Sequence, residues 1–461
     1  MRVVICGAGQ VGTTIARHLA TEGINVTVID IDSEQVRRVD ESYDVRGVIG
    51  HASHPATLQQ AGARDADMLI AVTRSDEVNM VACQVAYSLF KVKRRIARLR
   101  HAGYLAQDKT GLYAAEHLPI DIIIAPEIVI AEGIAHRLRT PGAFDKVPMA
   151  GGLVELLGIH TGTSNCSVVG RRFAEIAENH PDGGMSILAV VRHGRCFVPD
   201  RDDRLEIGDD VYVLARKHQV DDVMAAFGHH ERVAKRVVIV GGGNVGLHLA
   251  KRVRRESPSV DIKLIERDKE RSEEVARELG GATIVIQGDA LDRDLLEEAQ
   301  IGSAETIVAV TNDDETNIFV SVLAKQAGCG RAITLVNKRT YESLIPTLGI
   351  DAVVSPSAVT ISTVLRHVRH GSILALYTLR EDFGEVVEAE ITEDSRLLRR
   401  PLGHLGLPAG MKIGAVVRAG EVLIPDDDTL LEPGDHVVAL VTYSHLRLAE
   451  ALLGAARRPF A

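Results

Sequence analysis

Two doubly wound α/β domains in tandem are what this sequence predicts, and three observations predict them. A short apolar run, Arg2-Val3-Val4-Ile5-Cys6, breaks at Gly7-Ala8-Gly9-Gln10-Val11-Gly12, and an amphipathic helical pattern follows through Ile15, Ala16 and Leu19. A second apolar run, Val26-Thr27-Val28-Ile29, ends on an acid, Asp30. The whole unit returns about 230 positions downstream: Arg236-Val237-Val238-Ile239-Val240 leads into Gly241-Gly242-Gly243-Asn244-Val245-Gly246, and Ile262-Lys263-Leu264-Ile265 ends on Glu266.

Each part of this pattern has a physical task in holding a dinucleotide. Gly7 permits the tight turn, Gly9 lets backbone approach a pyrophosphate, and Gly12 lets the helix pack against the strand. The helix N-terminus presents unpaired N–H groups and partial positive charge to phosphate. Asp30 can accept from ribose hydroxyls and would repel a 2′-phosphate, which favours NAD or an adenine nucleotide over NADP.

Beyond Asp30 the alternation continues. Val45–Ala52 reads as a third strand with its exit, Met68–Val72 as a fourth, Arg95–Leu99 as a fifth and Ile122–Ile124 as a sixth, with a long helix from Val78 to Phe90. Continuous apolar strands separated by helices mean a parallel sheet buried on both faces. Ligands then meet the carboxyl ends of the strands, which makes one rim of Gly7–Val11, Asp30, His51, Thr73-Arg74 and Arg98. A connecting helix, Glu127–Leu138, leads to a segment of different texture. It holds a strand at Leu153–Ile159, a hairpin turning on His193-Gly194, a strand at Val211–Ala215 and a last helix at Val220–Phe227, a small α+β module. The second half replays all of this: Leu205-Glu206-Ile207-Gly208-Asp209, for example, returns as Leu431-Glu432-Pro433-Gly434-Asp435. The expected plan is a Rossmann-type domain (1–125), connecting helix (126–142) and small α+β domain (143–228), then a second Rossmann-type domain (233–356), helix (357–370) and small domain (371–456).

Composition narrows the function. The net charge of −10, without a long basic block, argues against nucleic acid, and 3% aromatic residues with no Trp argue against a base-stacking platform. Five scattered cysteines, Cys6, Cys83, Cys166, Cys196 and Cys329, form no CxxC pair and read as reduced thiols, neither a disulfide frame nor a zinc site. No apolar leader precedes the first strand, and no run reaches about 18 apolar residues, so a cytoplasmic protein is expected. Asp76-Glu77 and Asp313-Asp314-Glu315 read as acids at helix N-termini, and Asp426-Asp427-Asp428 as a solvated hairpin tip; no metal site is expected.

The fingerprints, Asp30, Ala71-Val72-Thr73, Ile96-Ala97-Arg98, Gln287-Gly288-Asp289-Ala290 and the two small modules together resemble the Trk system potassium uptake protein A family, built of two tandem RCK (regulator of potassium conductance) units. The resemblance spans the whole chain. It implies a cytoplasmic regulatory subunit, peripheral on the inner face of the membrane, of an integral membrane potassium transporter of the Trk type. It also implies binding of NAD(H), with ATP or ADP as further ligands, and assembly as a homo-oligomer, a dimer or a tetramer ring. Carried over, the first site uses Gly7, Ala8, Gly9, Gln10 and Val11 on the diphosphate, Asp30 on a ribose, and Thr73, Arg74 and Arg98 along the rim. The second uses Gly241, Gly242, Gly243, Asn244, Val245, Glu266, Asp289 and Thr311. The family often carries Asp or Asn where His51 stands, so His51 is left out.

The halves are not equivalent. Leu335 stands where Arg98 does and Asn312 where Arg74 does, so the first site holds two more cations and is expected to take the more phosphorylated ligand or to bind the same one more tightly. Pairing of Arg98 with a nearby carboxylate is the alternative. A nucleotide sensor is the reading preferred to an NAD-dependent oxidoreductase, because neither small module shows a Tyr-x-x-x-Lys or a His/Asp constellation over the cofactor. Residues 127–141 and 359–371 are the expected hinges.

Overall fold

In a computed structural model, the residues described are 1–106, 111–162, 166–178, 184–231, 233–281, 283–342, 345–368, 373–380 and 383–453. The first sheet is built from β1 (Arg2–Cys6), β2 (Asn25–Asp30), β3 (Arg46–Ile49), β4 (Met68–Ala71), β5 (Arg94–Arg98) and β6 (Ile122–Ile124). Between and after them lie α1 (Gln10–Thr21), α2 (Ser33–Ser42), α3 (Pro55–Gln60), α4 (Asp76–Phe90), α5 (Ala102–Leu105) and α6 (Pro126–Leu138). Strand order is β3-β2-β1-β4-β5-β6, all parallel, so the order reverses between β1 and β4 and opens a crevice at the end of β1. Val4, Cys6, Leu69, Ala71 and Ala97 are sealed in the core beneath that crevice. Burial pushes the Cys6 thiol up to about 12, which makes it an inert core group.

The first small module contains β7 (Ala143–Met149), β8 (Val154–His160), α7 (Phe173–Glu178), β9 (Met185–Arg192), β10 (Arg195–Phe197), β11 (Asp210–Arg216) and α8 (Val220–Ala226). Its antiparallel sheet runs β10-β9-β11-β8-β7. The sequence pattern does not reveal β7, because Asp145, Lys146 and Pro148 interrupt it. As the edge strand it tolerates a proline that a central strand would not. The β9–β10 hairpin turns on His193 (φ 50°) and Gly194 (φ 77°), both in the left-handed region that the tight twist of a two-residue hairpin requires.

The second half repeats the order: β12 (Arg236–Val240), α9 (Asn244–Glu256), β13 (Asp261–Glu266), α10 (Lys269–Leu279), β14 (Ile284–Gln287), α11 (Arg293–Glu298), β15 (Thr306–Ala309), α12 (Asp314–Gln326), β16 (Arg331–Leu335), α13 (Arg339–Glu342), β17 (Ala352–Val354) and α14 (Pro356–Val368). Its small module holds β18 (Ile373–Arg380), β19 (Gly384–Glu390), β20 (Met411–Arg418), β21 (Glu421–Leu423), β22 (His436–Thr442) and α15 (Leu446–Leu453). The sheets are β14-β13-β12-β15-β16-β17 and β18-β19-β22-β20-β21, so each reproduces the topology of its counterpart.

Two compact units result: residues 1–129 with 356–368, and residues 130–355 with the described part of 369–458. The first unit is a Rossmann sheet whose α1 is covered by α14, a helix from the other end of the chain; Thr360, Ile361, Val364 and Leu365 are its buried face. The second unit holds the remaining Rossmann sheet and both small modules. There the later turns of α6 meet α9 through the Glu132–Arg252 ion pair, and Arg139 reaches Glu256 at 2.7 Å. The two small sheets share one core, in which Met149, Leu156 and Leu188 join Val386, Val438 and Leu440. The expected hinge segments are thus largely helical, and residues 369–371 of the second lie outside the described residues.

In each small module the repeated Leu-Glu-x-Gly-Asp segment buries its aspartate under an arginine. Arg192 Nη2 lies 2.8 Å from Asp209 and Arg418 Nη2 lies 2.8 Å from Asp435, and each aspartate also accepts a backbone N–H, from Glu206 or Glu432. Charge-assisted pairing of this kind satisfies a carboxylate that burial alone would penalise. The acidic run 426–428 is exposed, as expected, but follows β21 rather than forming a hairpin tip; Asp427 pairs with Arg201 at 2.7 Å, and Asp426 accepts from the Thr429 hydroxyl at 2.6 Å.

Candidate functional site

The first glycine loop joins β1 to α1 at the strand-order reversal. Gly7 has φ 111°, and a side chain there would meet the Val72 carbonyl at 3.1 Å. Gly12, inside α1, lies so near the loop that a Cβ would fall 1.8 Å from the Gly7 oxygen, so the helix can pack here only with glycine. A Cβ on Gly9 meets nothing within 4 Å: its outer face is open, as the approach of a ligand needs. Gly241, Gly246 and Gly243 repeat the three environments, with φ 106°, a 1.9 Å approach to the Gly241 oxygen, and open space. Neither α1 nor α9 has a side-chain cap on its first turn, which leaves N–H groups of that turn available to an anion. Val11 and Val245 are buried beneath the loops and act as packing residues.

Asp30 already holds the first loop. Its Oδ2 accepts the Ala8 N–H at 2.6 Å and its Oδ1 the Asp32 N–H at 3.0 Å. A carboxylate has about four acceptor sites, so lone pairs remain for ribose hydroxyls. The second half does the same with a longer acid: Glu266 accepts from Gly242 N–H at 2.6 Å and from Asp268 N–H at 2.8 Å. The extra methylene of Glu266 explains Gly242, since a Cβ at that position would stand 3.2 Å from the Glu266 Cβ and Cγ. Ala8 with Asp30 and Gly242 with Glu266 are therefore volume-compensated pairs.

The rim residues divide into groups that face the crevice and groups already engaged. Thr73 Oγ1 donates to Asn79 Oδ1 at 2.7 Å, and the Thr73 N–H donates to the same oxygen at 2.9 Å, while Asn79 Nδ2 donates to the Arg98 carbonyl at 2.8 Å. Thr311, Asn317 and the Leu335 carbonyl reproduce the clamp at 2.7, 2.9 and 3.0 Å. The two threonines thus position the exits of β4 and β15, with their hydroxyls turned inward. Sequence reasoning missed Asn79 and Asn317; both lie fully buried three residues into a helix, a setting in which an amide is retained only for its hydrogen bonds. Asp76 and Asp314 are also more than helix-terminal acids. Buried, they accept the N–H groups of Arg100 and His101, and of Asn337 and Lys338, at 2.8–2.9 Å, and so hold the exit loops of β5 and β16.

Arg98 makes no ion pair among the described residues, and its Nε is buried without a hydrogen-bond partner. Burial, reinforced by Arg100, pulls its ordinarily very high pKa down. A half-buried guanidinium with an orphan donor at the rim of a phosphate-shaped loop fits an anionic ligand. Arg74 is exposed on the neighbouring loop. His51 is engaged with Ser53 at 2.8 Å and stacks on His54 with centroids 4.7 Å apart. At the equivalent place Asp289 accepts the Leu291 N–H at 3.0 Å, an Asx turn that shapes the β14 exit. One cation escaped sequence reasoning: Arg271, on α10, reaches the Gly242 carbonyl at 2.8 Å and pairs with Glu274 at 2.6 Å. Gln35 stands there in the first half, so the expected surplus of two cations at the first rim is offset by one on the other flank of the second.

Among the described residues no cluster of metal-ligating side chains is present, the five cysteines are free, and no helix is long and apolar enough to cross a membrane. The chain matches the TrkA-N domain family over residues 3–126 and 237–356, and the TrkA-C domain family over residues 160–228 and 386–454. It is 42% identical over 452 residues to the Trk system potassium uptake protein TrkA of Azorhizobium caulinodans, covering 98% of each chain. It is 40% identical over 444 residues to that of Halomonas elongata, covering 96% of each. Among solved structures it is similar to the GsuK RCK domain (TM-score 0.60, 19% identity, 98% of this chain and 95% of that one). It is also similar to the GsuK channel bound to NAD (TM-score 0.59, 18% identity, 98% of this chain and 79% of that one). At such identities these two likenesses concern the fold. With family matches over most of its length and relatives well above 30% identity along nearly all of it, the chain belongs to the Trk system potassium uptake protein TrkA family.

Proposed function

We propose that this chain is the nucleotide-sensing regulatory subunit of a Trk-type potassium uptake transporter, and that it binds NAD(H), ATP or ADP at two glycine cradles without transforming them. The observation that carries the reading is the pair of cradles themselves: a positive-φ glycine turn, an open glycine face, uncapped helix N–H groups and an acid at the ribose position, built twice. Gly7, Ala8, Gly9, Gln10 and Val11 form the first phosphate loop with Asp30 beside it, and Gly241, Gly242, Gly243, Asn244 and Val245 form the second with Glu266. Thr73, Thr311 and Asp289 shape the rims, and Arg74 and Arg98 supply the first cradle with phosphate-directed charge. Family membership supports the transport role and an integral membrane partner. Action at the inner face of the membrane as a dimer or tetramer ring, with the four-domain division given above, completes the proposal.

A protein of this kind acts only through different affinities for two states of its partner assembly. A coupling of about 1–3 kcal/mol would change opening about 5- to 150-fold. The test is potassium flux through the reconstituted membrane partner with ATP, ADP, NAD+ or NADH. Flux that responds to at least one of them is expected, and flux indifferent to all four removes the regulatory role. The competing oxidoreductase reading is tested by turnover: steady conversion of NADH with any substrate would replace sensing by catalysis.

A further inference from the structure

We infer that the connecting helix of the second half, α14, reads the occupancy of the first cradle through the hydrogen bond from Gln10 to Ser357. This rests on the nucleotide reading above.

The two connecting helices start at equivalent points but are anchored in opposite ways. In α6, Glu127 of the first turn is held by Arg100 at 2.6 Å. Its last turn is held by Arg137, which reaches Asp145 at 2.5 Å and the Phe144 carbonyl at 3.1 Å, and Arg331 donates to the Arg137 carbonyl at 2.8 Å. Asp145 also accepts the Tyr377 hydroxyl. Charges fix α6 at both ends. At the matching places around α14 stand Ser357 for Glu127, Asn337 for Arg100, His367 for Arg137 and Ala375 for Asp145. Neither terminal ion pair can form there.

What ties the first turn of α14 to the cradle is neutral: the Gln10 carboxamide donates to the buried Ser357 hydroxyl at 3.2 Å. Gln10 is the first residue of α1, directly on the phosphate loop. A phosphate oxygen is a stronger acceptor than a serine hydroxyl. A seated nucleotide therefore draws the Gln10 amide toward itself, and Ser357 loses this donor. The buried first turn of α14 then favours a different position, and the cost of the lost bond is the differential energy that couples the two states. At the equivalent position of α6 stands Glu127, which is committed to Arg100.

The test uses the full-length chain, with hydrogen exchange at α14 measured by mass spectrometry with and without saturating ATP and, separately, NADH, while calorimetry reports binding. In the unaltered protein nucleotide should change exchange in the first turns of α14 several-fold. Ser357→Ala should abolish that change while affinity stays within about threefold, and Ser357→Thr should restore it. Binding without any response at α14, or a full response in Ser357→Ala, overturns the inference alone. Absence of binding to both nucleotides overturns it together with the reading it rests on.

Discussion

Ala8 and Asp30 wall the first cradle, Gly242 and Glu266 the second, and the same loop geometry is reached by trading one methyl group for one methylene. The backbone parts are therefore interchangeable between the halves, whereas the charged parts are not. The first rim carries Arg74 and Arg98, whose Nε has no partner among the described residues, beyond β4 and β5, and the second carries Arg271 on the opposite flank with a carboxylate already beside it. The connecting helices differ likewise, one braced by ion pairs and the other tied to the cradle at its start by a neutral bond. Duplication preserved the backbone of the two loops, and divergence fell on the charged groups at their rims and on the anchors of the connecting helices.

The largest expected effect tests the bracing. Asp145→Ala would leave Arg137 buried without its acid, so it should destabilise the second unit by about 3–5 kcal/mol in denaturant unfolding. A change below about 1 kcal/mol would show that the brace is not what fixes α6. The shared geometry comes next: Gly12→Ala and Gly246→Ala should each cost about 2–3 kcal/mol, because the added Cβ overlaps a carbonyl oxygen at 1.8 or 1.9 Å. Tolerance of one and not the other would break the equivalence of the loops.

Ligand preference sharpens the comparison further. Arg98→Leu should weaken nucleotide binding at the first cradle by about 10- to 100-fold, a charge-assisted bond being worth about 1.5–3 kcal/mol. The reverse change, Leu335→Arg, should strengthen the second. Calorimetry that found unchanged affinity and ligand preference in Arg98→Leu would remove the charge argument. The smallest effect concerns pH. Burial pushes the Asp435 carboxyl up, but the Arg418 guanidinium and the Glu432 N–H outweigh it and hold the group below its ordinary 3.8. Its stabilisation is therefore present above the ordinary carboxylate range and is lost as pH falls through the lowered folded-state value. Asp435→Asn should flatten that part of an acid-unfolding curve followed by circular dichroism.

Both glycine loops and their acids were legible along the chain because each depends on contacts within about thirty residues, while the parallel sheets showed in their continuous apolar runs and the twofold repeat in the return of the same motifs. Three features were not. The edge strand β7 was hidden by Asp145 and Pro148, whose reasons lie in another helix and at a sheet margin. Asn79 gave no signal, since its partners Thr73 and Arg98 are brought to it by sheet order. Arg271 is one charge among many on α10, and nothing local marks its reach to the Gly242 carbonyl.

By itself the sequence determined the repeated strand–loop–helix unit and the backbone form of its glycine loop, because glycine conformation and apolar period are local properties of a chain. Only the tertiary structure decided which rim groups remain free, that Thr73 is committed while the Arg98 Nε is not, and that α14 covers the α1 of the other half. The reason is physical: hydrogen bonds and ion pairs between residues tens to hundreds of positions apart are set by packing, and no local pattern records them.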